Sequence, residues 1–330
     1  MSEGPVALFT VWPRIAAALR ARPCVLFLDF DGTLLPFTTN PDSARLSPEQ
    51  RALLRRLARA PGWTVAAVSG RALSDLRRRI GVPGLIYAGN HGLEIEGKGL
   101  CFRHPGALAA TKELAALRRE TSRATKGLPG VRVENKRLSW TLHFRGVPPA
   151  ARRRVLRTFW NTVRAAVRTD RVSIRRGVMS REVLPPVEWD KGAAVRWILA
   201  RLREHSRPVV IYLGDDAADE PAFAALGSNG VSVIVGGRSR TRARFFVRDP
   251  GDVGSLLFLF TQVLEGRLSP CEQLKRSSRM NQKLVRQNED ILLPARHAKV
   301  ASQVLRHPNQ SELRADVVPV KCDGTGGEAR

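Results

Sequence analysis

Two aspartates directly follow a hydrophobic run near the start of the chain, in LFLDFDGTLLPF at residues 26–37. Side chains separated by two positions lie on the same side of an extended segment, so Asp29 and Asp31 are neighbours. Two close carboxylates repel each other unless a cation lies between them, and an oxygen-rich site with room for a phosphate suits Mg²⁺. One aspartate could attack phosphorus, and the other could protonate the leaving oxygen and later activate water. The alternative, two loop acids that cap a helix, is disfavoured because DxDGT after a strand is a specific pattern.

Further groups that could bind phosphate or metal occur beside this segment and in three later ones. Gly32 allows a sharp turn, and the Thr33 hydroxyl could hold a phosphate oxygen. Ser69, in VSGR, offers a hydroxyl beside backbone N–H groups, and Lys191, in EWDKG, could neutralise charge on a phosphoryl group. The run YLGDDAADE adds three aspartates, Asp215, Asp216 and Asp219. Alone, these later segments suggest only a turn, a surface lysine and a helix cap, but their order predicts one Mg²⁺-dependent phosphate site.

Alternating strands and helices are predicted to position these groups. Short hydrophobic runs predict buried strands over residues 24–30, 63–70, 85–92, 209–216 and 231–237, and helices are predicted over 47–61 and 71–81. Ser47 has the position and type of a helix N-cap. This alternation is typical of an open parallel sheet, in which ligands bind beyond the carboxyl ends of the strands. The candidate acids and phosphate-binding residues all follow such strands or begin helices.

The middle of the chain has a different pattern, which predicts an inserted domain. Residues 131–146 and 172–186 resemble half-exposed antiparallel strands, and residues 150–169 form a predicted helix between them. The predicted division is an N-terminal amphipathic helix at 1–19, a core at 20–104 and 185–265, an α+β domain at 105–184, and a basic polar tail at 266–330. We expect that tail to be largely disordered, with one possible helix near 270–292.

Composition limits the kinds of partner that the chain is expected to have. The 330 residues carry a net charge of +25, but the arginines are spread along helices with little aromatic interleaving, so solvated helix faces are favoured over nucleic-acid binding. No run is long enough for a transmembrane helix, and the start of the chain does not resemble a signal peptide. The four cysteines are few and lack metal-ligand spacing. These features predict a cytoplasmic protein without a disulfide framework.

The order of the motifs resembles that of the haloacid dehalogenase superfamily of phosphotransferases. The resemblance implies an α/β fold, a Rossmann-like parallel-sheet core with an inserted α+β cap. It makes Asp29 the nucleophile and a metal ligand, and Asp31 the general acid and base, which also binds the metal through its backbone carbonyl. The remaining implied roles are phosphate binding by Thr33, Ser69 and the catalytic Lys191, metal binding by Asp215, and support of the metal by Asp216 and Asp219.

A closer similarity is to the trehalose-6-phosphate phosphatase family, and it extends from about residue 20 to residue 265. The matching segments are YAGNHGLEI at 87–95, ENKRLSWTLHFR at 134–145, EVLPPVEWDKG at 182–192 and GDDAADEPAF at 214–223. The implied activity is Mg²⁺-dependent hydrolysis of trehalose 6-phosphate, through an aspartyl-phosphate, under a cap that closes over the sugar. The implied substrate-binding residues are Asn90, His91, Glu134, Lys136, Arg145 and Glu182. A separate chain is expected to supply the trehalose-6-phosphate synthase activity.

Several positions depart from that family's pattern. Ala218 and Pro221 replace Thr and Asp in the acidic loop, and Val178 and Met179 stand where basic residues are usual. A contact to the sugar is therefore either missing or supplied by Arg175 or Arg176. These departures leave open a different sugar phosphate as substrate. The net charge leaves open a basic nucleic-acid-binding or regulatory protein on a weakly active phosphatase scaffold.

Overall fold

The computed structural model describes residues 4–36, 45–202, 207–237 and 240–266. Its strands are β1 Val6–Ala7, β2 Cys24–Leu28, β3 Trp63–Val68, β4 Ile86–Gly89, β5 Glu94–Gly97, β6 Leu100–Arg103, β7 Arg132–Asn135, β8 Trp140–His143, β9 Ser173–Gly177, β10 Ser180–Leu184, β11 Val209–Gly214, β12 Val231–Val235 and β13 Phe245–Val247. Its α-helices are α1 Trp12–Ala21, α2 Pro48–Arg59, α3 Leu73–Ile80, α4 Pro105–Ala109, α5 Thr111–Ala124, α6 Pro149–Arg168, α7 Lys191–Arg201, α8 Glu220–Leu226 and α9 Pro250–Glu265. None of these described helices is both long and apolar enough to cross a membrane.

The larger sheet has the order β1-β13-β12-β11-β2-β3-β4-β5-β6. Its strands pair in parallel from β1 through β4, and β5 and β6 add an antiparallel hairpin at the edge. Strands β2 and β3 are buried along their whole length, because helices cover both faces of the sheet. The α/β fold with a mostly parallel sheet that the sequence predicted is therefore confirmed.

Two hydrophobic layers hold the helices against this sheet. One layer includes Trp12 of α1 and Phe260 of α9, and the other includes Ile198 of α7 and Phe223 of α8. Helix α2 begins as predicted, since Ser47 Oγ accepts a hydrogen bond from the Gln50 N–H and the Gln50 side chain accepts one from the Ser47 N–H. This capping box satisfies two N–H groups that the helix itself leaves without a partner.

A second sheet, which we call the cap sheet, lies between β6 and α7 in the chain and has the antiparallel order β7-β8-β10-β9. One face packs against α5 and α6 through a cluster that includes Trp140 and Phe159. Side chains alternate across a strand, so the opposite face is polar. The pairing register places four residues of that face side by side, one from each strand, and we call them the polar row: Glu134, Thr141, Glu182 and Arg175.

A small hydrophobic cluster joins the cap sheet to the larger sheet. Leu138, in the turn between β7 and β8, is buried with Leu93 and Ala107. Trp189 packs against this cluster and stacks on the Phe102 ring, with the two ring centroids 5.0 Å apart. Both connections between the two sheets pass this cluster.

Several elements differ from the sequence-based expectations. The helix predicted within residues 1–19 begins only at Trp12 and ends at Ala21, and the preceding Val6–Ala7 pairs with β13 instead. The strand predicted to reach residue 92 ends at Gly89, before the β5–β6 hairpin. The predicted tail lies outside the described residues from position 267 onward.

Candidate active site

Three neighbouring strands bring the predicted site residues to one edge of the larger sheet. Strand β2 lies between β11 and β3, and Leu28 is level with Leu213 on one side and Ala67 on the other. Asp29, Ser69 and Asp215 follow these strands at or shortly after their carboxyl ends and therefore lie at the same edge. This is the edge at which open parallel sheets bind ligands.

Lys191 joins two of the aspartates in this site. Its Nζ donates hydrogen bonds to Asp29 Oδ1 and Asp219 Oδ1, each at 2.7 Å, and only 3% of the side chain is exposed. Burial opposes the positive charge, but the carboxylates of Asp219 and Asp29 raise the pKa of Lys191 well above its ordinary value. Lys191 is therefore a fixed, buried cation beside the predicted nucleophile.

Asp219 holds the lysine in place and is itself held by three further donors. The Tyr212 hydroxyl donates to Oδ1 at 2.7 Å, and the backbone N–H groups of Asp215 and Asp216 donate to Oδ2 at 3.0 and 3.1 Å. A Cβ atom on Gly214 would lie 2.3 Å from Asp219 Cγ, so glycine is required for this close approach. Burial opposes its charge, but Lys191 lowers the pKa of Asp219. This arrangement suits the supporting role expected from the sequence.

Three of the acids at this edge form a cluster that fits a hard metal ion. Carboxylate oxygens of Asp29, Asp215 and Asp219 lie within 4.8 Å of one another. Burial and the Asp216 and Asp219 carboxylates raise the pKa of Asp215 to about 7. Burial also raises the pKa of Asp29 well above its ordinary value, although Lys191 opposes the shift. Such crowding of oxygen ligands is relieved by a bound cation, so the donor set is chemically suited to one.

Asp31 lies outside this cluster, because an arginine binds its side chain. Arg71 donates from Nε and Nη2 to the two carboxylate oxygens of Asp31, both at 2.6 Å. Arg71 also donates from Nη1 to Asp75 at 2.9 Å, which fixes the guanidinium plane. Sequence reasoning missed this arginine, although it directly follows the Ser69–Gly70 pair. The bidentate contact gives the partly exposed Asp31 side chain a defined position beside the cluster.

The predicted phosphate-binding residues lie close to the acids. Thr33 is fully buried, and its hydroxyl donates to Asp215 Oδ1 at 3.2 Å. Ser69 Oγ accepts a hydrogen bond from the Arg71 N–H at 3.2 Å. A Cβ atom on Gly70 would lie 2.5 Å from the His91 ring, so glycine allows this histidine to pack on the loop. The loop after β3 thus connects the phosphate site to the residues beneath the cap sheet.

The cap sheet contacts this loop through buried polar groups. Lys136 Nζ donates to the Gly70 carbonyl oxygen at 2.9 Å and to Glu182 Oε1 at 2.8 Å. His91 Nε2 lies 3.0 Å from Glu182 Oε2, and because a carboxylate only accepts, this nitrogen carries the proton. Burial lowers the pKa of His91 to about 4. Burial opposes the charge of Glu182, but Lys136 and His91 hold the pKa of Glu182 well below its usual range.

Asn90 completes this junction between the two sheets. Its Oδ1 accepts a hydrogen bond from Ser139 Oγ at 2.8 Å, and its Nδ2 donates to the Lys136 carbonyl oxygen at 2.9 Å. Its Nδ2 also donates to Glu94 at 2.8 Å. Sequence reasoning missed Ser139 and Glu94, because neither follows a strand in the larger sheet nor stands in an acidic motif.

Two predicted substrate residues lie away from this junction. Glu134 accepts a hydrogen bond from His143 at 2.7 Å, and this contact lowers the pKa of Glu134 although burial opposes it. Arg145 is exposed beyond the end of β8. The structure therefore brings Asn90, His91, Lys136 and Glu182 together, and Arg145 stays outside their cluster. Asp216 stabilises its own loop, since its side chain accepts a hydrogen bond from the Ala218 N–H at 2.8 Å.

Comparisons with known proteins identify the family that this chain resembles. Residues 27–251 match the model of a family described as trehalose-phosphatase. A trehalose-phosphate phosphatase of Mycobacterium tuberculosis is 39% identical over 267 residues, which cover 77% of this chain and 64% of that protein. The chain thus spans less than two thirds of the length of this relative.

Solved structures show the same fold. The C-terminal domain of Candida albicans trehalose-6-phosphate phosphatase has a TM-score of 0.64 at 20% identity, over 81% of this chain and 99% of that one. Aspergillus fumigatus trehalose-6-phosphate phosphatase has a TM-score of 0.54 at 26% identity, over 80% of this chain and 100% of that one.

Proposed function

The chain belongs to the trehalose-phosphatase family, and from that premise we propose that it hydrolyses trehalose 6-phosphate to trehalose and inorganic phosphate. The observation that carries the proposal is the buried Asp29–Lys191–Asp219 unit beside Asp215. It combines a nucleophile, a fixed cation and a cluster of oxygen ligands at the ligand-binding edge of the sheet. Phosphoryl transfer needs mainly this kind of positioning and charge neutralisation.

In the proposed reaction, Asp29 attacks phosphorus and forms an aspartyl-phosphate while the bond to the sugar oxygen breaks. Asp31 gives a proton to that leaving oxygen, then takes a proton from the water that attacks the aspartyl-phosphate. Phosphate leaves and the Asp29 carboxylate is restored. Lys191, Ser69 and Thr33 would hold the phosphate oxygens. Asp31 would turn one carboxylate oxygen to the leaving oxygen while Arg71 continues to hold the other.

We propose Mg²⁺ as the cation, bound by Asp29, Asp215 and the backbone carbonyl of Asp31. When bound, it would neutralise charge on the phosphate oxygens, which lowers their repulsion of the Asp29 carboxylate. Asp216 and Asp219 would support it indirectly, Asp216 through the backbone of the acidic loop and Asp219 through the N–H groups of Asp215 and Asp216.

The cap sheet would close over the sugar. Asn90, His91, Lys136 and Glu182 form one polar junction above the phosphate loop, and in this structure they are linked to one another by hydrogen bonds. We propose that sugar hydroxyls replace part of these contacts. Glu134, at the β7 end of the polar row, would bind a further sugar hydroxyl. A separate synthase in the cytoplasm would supply the substrate.

The first test is phosphate release by wild type and Asp29→Asn, with Mg²⁺ or with a chelator. The panel holds trehalose 6-phosphate, sucrose 6-phosphate, glucose 6-phosphate and mannosyl-3-phosphoglycerate. We expect selective release from trehalose 6-phosphate, and a loss of about 10³-fold or more in Asp29→Asn because no other nucleophile replaces it. The matched control is Asp170→Asn, a change of the same type at an exposed position after α6. Normal turnover by Asp29→Asn would refute the mechanism, and release from another sugar would replace the substrate.

A further inference from the structure

Three buried polar atoms around Glu182 have no hydrogen-bond partner in the described part of the chain. They are Thr141 Oγ1, Arg175 Nη1 and His91 Nδ1. Buried polar groups are nearly always paired, so unpaired ones that lie together indicate a place for water or for a ligand. Only 3% of Thr141 and 8% of His91 is exposed, so bulk water does not reach these atoms.

The pairing register places two of these atoms on a single surface. Thr141 and Arg175 flank Glu182 in the polar row, because Glu182 pairs with Thr141 on β8 and with Arg175 on β9. Glu182 reaches His91, so this face of the cap sheet is turned toward the loop after β4. The charge of Arg175 acts on both Glu182 and His91, in keeping with this position.

We propose that Arg175 and Thr141 form a specificity subsite for the sugar ring farther from the phosphate. The inference rests on the proposed function and deepens it. The phosphate end is set by Lys191 and the Ser69–Gly70 loop, and Lys136 bridges that loop to Glu182. Arg175 lies on β9, the edge strand beyond Glu182, and therefore faces the other end of a bound disaccharide.

The chemistry of the two side chains suits sugar hydroxyls. A guanidinium donates several hydrogen bonds from one plane, and a threonine hydroxyl both donates and accepts. Glu182 already receives Lys136 and His91, so Arg175 keeps donor capacity that an oxygen of the substrate can use. A substrate without the second ring would leave these Arg175 donors unpaired. A polar site rejects such a substrate in favour of one that pairs its buried donors.

The same geometry separates Arg175 from its neighbour Arg176. Alternation along β9 turns Arg176 to the opposite face, where it is level with Arg181, and it is exposed. Of the two arginines that could supply a contact to the sugar, Arg175 is the one on the surface facing the site. Arg176 is therefore a matched control on the same strand.

The test compares Arg175→Met, Thr141→Val and the control Arg176→Met. The two substrates are trehalose 6-phosphate and p-nitrophenyl phosphate, which has no sugar ring. We expect Arg175→Met and Thr141→Val to lower kcat/KM for trehalose 6-phosphate by about 10- to 100-fold. With p-nitrophenyl phosphate, they should stay within about twofold of wild type, and Arg176→Met should match wild type on both substrates.

The outcomes separate this inference from the function on which it rests. If wild type is active on trehalose 6-phosphate and neither subsite variant loses activity, the subsite is wrong and the function stands. An equal loss on both substrates would also overturn the subsite, since it would indicate structural damage, and melting temperatures would reveal such damage independently. If wild type is inactive on trehalose 6-phosphate, the proposed function fails and the inference fails with it. Thr141→Ser keeps the hydroxyl that Thr141→Val removes. Wild-type selectivity in Thr141→Ser would support the hydroxyl as the group that binds the sugar.

Discussion

At the scale of single residues, the contact between Arg71 and Asp31 fixes the position of one of the predicted catalytic side chains. The two parallel hydrogen bonds, each 2.6 Å long, orient the carboxylate of Asp31, the proposed acid and base. Asp75 holds the arginine from the other side. A planar guanidinium is needed for this two-pronged contact, and a lysine ammonium cannot reproduce it.

We therefore expect both Arg71→Lys and Arg71→Ala to lower kcat/KM by about 10- to 100-fold, because Asp31 loses its fixed position. The loss should be larger for trehalose 6-phosphate than for p-nitrophenyl phosphate, since the sugar oxygen needs a proton to leave and p-nitrophenolate leaves without one. Arg77→Ala is the control, because Arg77 is exposed and contacts only Glu96, at 3.5 Å, among the ion pairs described. Full activity in Arg71→Ala would show that Asp31 works without this arginine.

At the scale of elements, α2 shows how local sequence stabilises the core without taking part in the chemistry. Replacing Ser47 by Ala removes the side-chain acceptor of the capping box and should lower the free energy of unfolding by about 1 kcal/mol. The phosphatase kinetics should not change, because α2 contributes no residue to the site. Urea denaturation measures the first effect, and turnover by the same preparation measures the second. An unchanged unfolding midpoint would mean that water replaces the serine hydroxyl without loss.

The elements also show which features can be predicted from sequence. Strands such as β2 and β3 are buried on both faces, so each appears as a continuous hydrophobic run whose end marks a site residue. The β5–β6 hairpin and the three-residue β13 were missed, because short edge strands have no such run. The partners of site residues were missed for another reason. Arg71 and Asp31 are 40 positions apart, and only the folded sheet brings them together.

At the scale of the whole molecule, the buried His91 should make stability depend on pH. Its pKa is lowered from 6.5 to about 4, so the unfolded chain binds the proton more readily than the folded one. The neutral His91 therefore contributes fully to the free energy of unfolding above pH 6.5. This contribution is lost progressively as the pH falls toward 4, at up to about 1.4 kcal/mol per pH unit. The lowered pKa of Glu182 acts in the same direction at more acidic pH.

Denaturation at pH 7, 5.5 and 4.5 checks this expectation against His91→Asn, since asparagine tolerates the positive φ of 58° at this position. The variant should show a flatter decline in stability over this range. His104→Asn is the comparison variant, and it should flatten the decline less, because His104 is only half buried and burial lowers its pKa less than that of His91. Equal slopes for wild type and His91→Asn would exclude His91 as the group that titrates.

Trp189 gives the molecule a natural optical signal. Its indole stacks on Phe102 and packs against the cluster in which Leu138 of the cap sheet meets Leu93. Tryptophan emission responds to solvent exposure and to quenching by neighbouring groups, so a displacement of Leu138 would change its intensity or wavelength. With the other five tryptophans replaced by phenylalanine, stopped-flow fluorescence could then time the proposed closing of the cap sheet during a single turnover, without any attached dye.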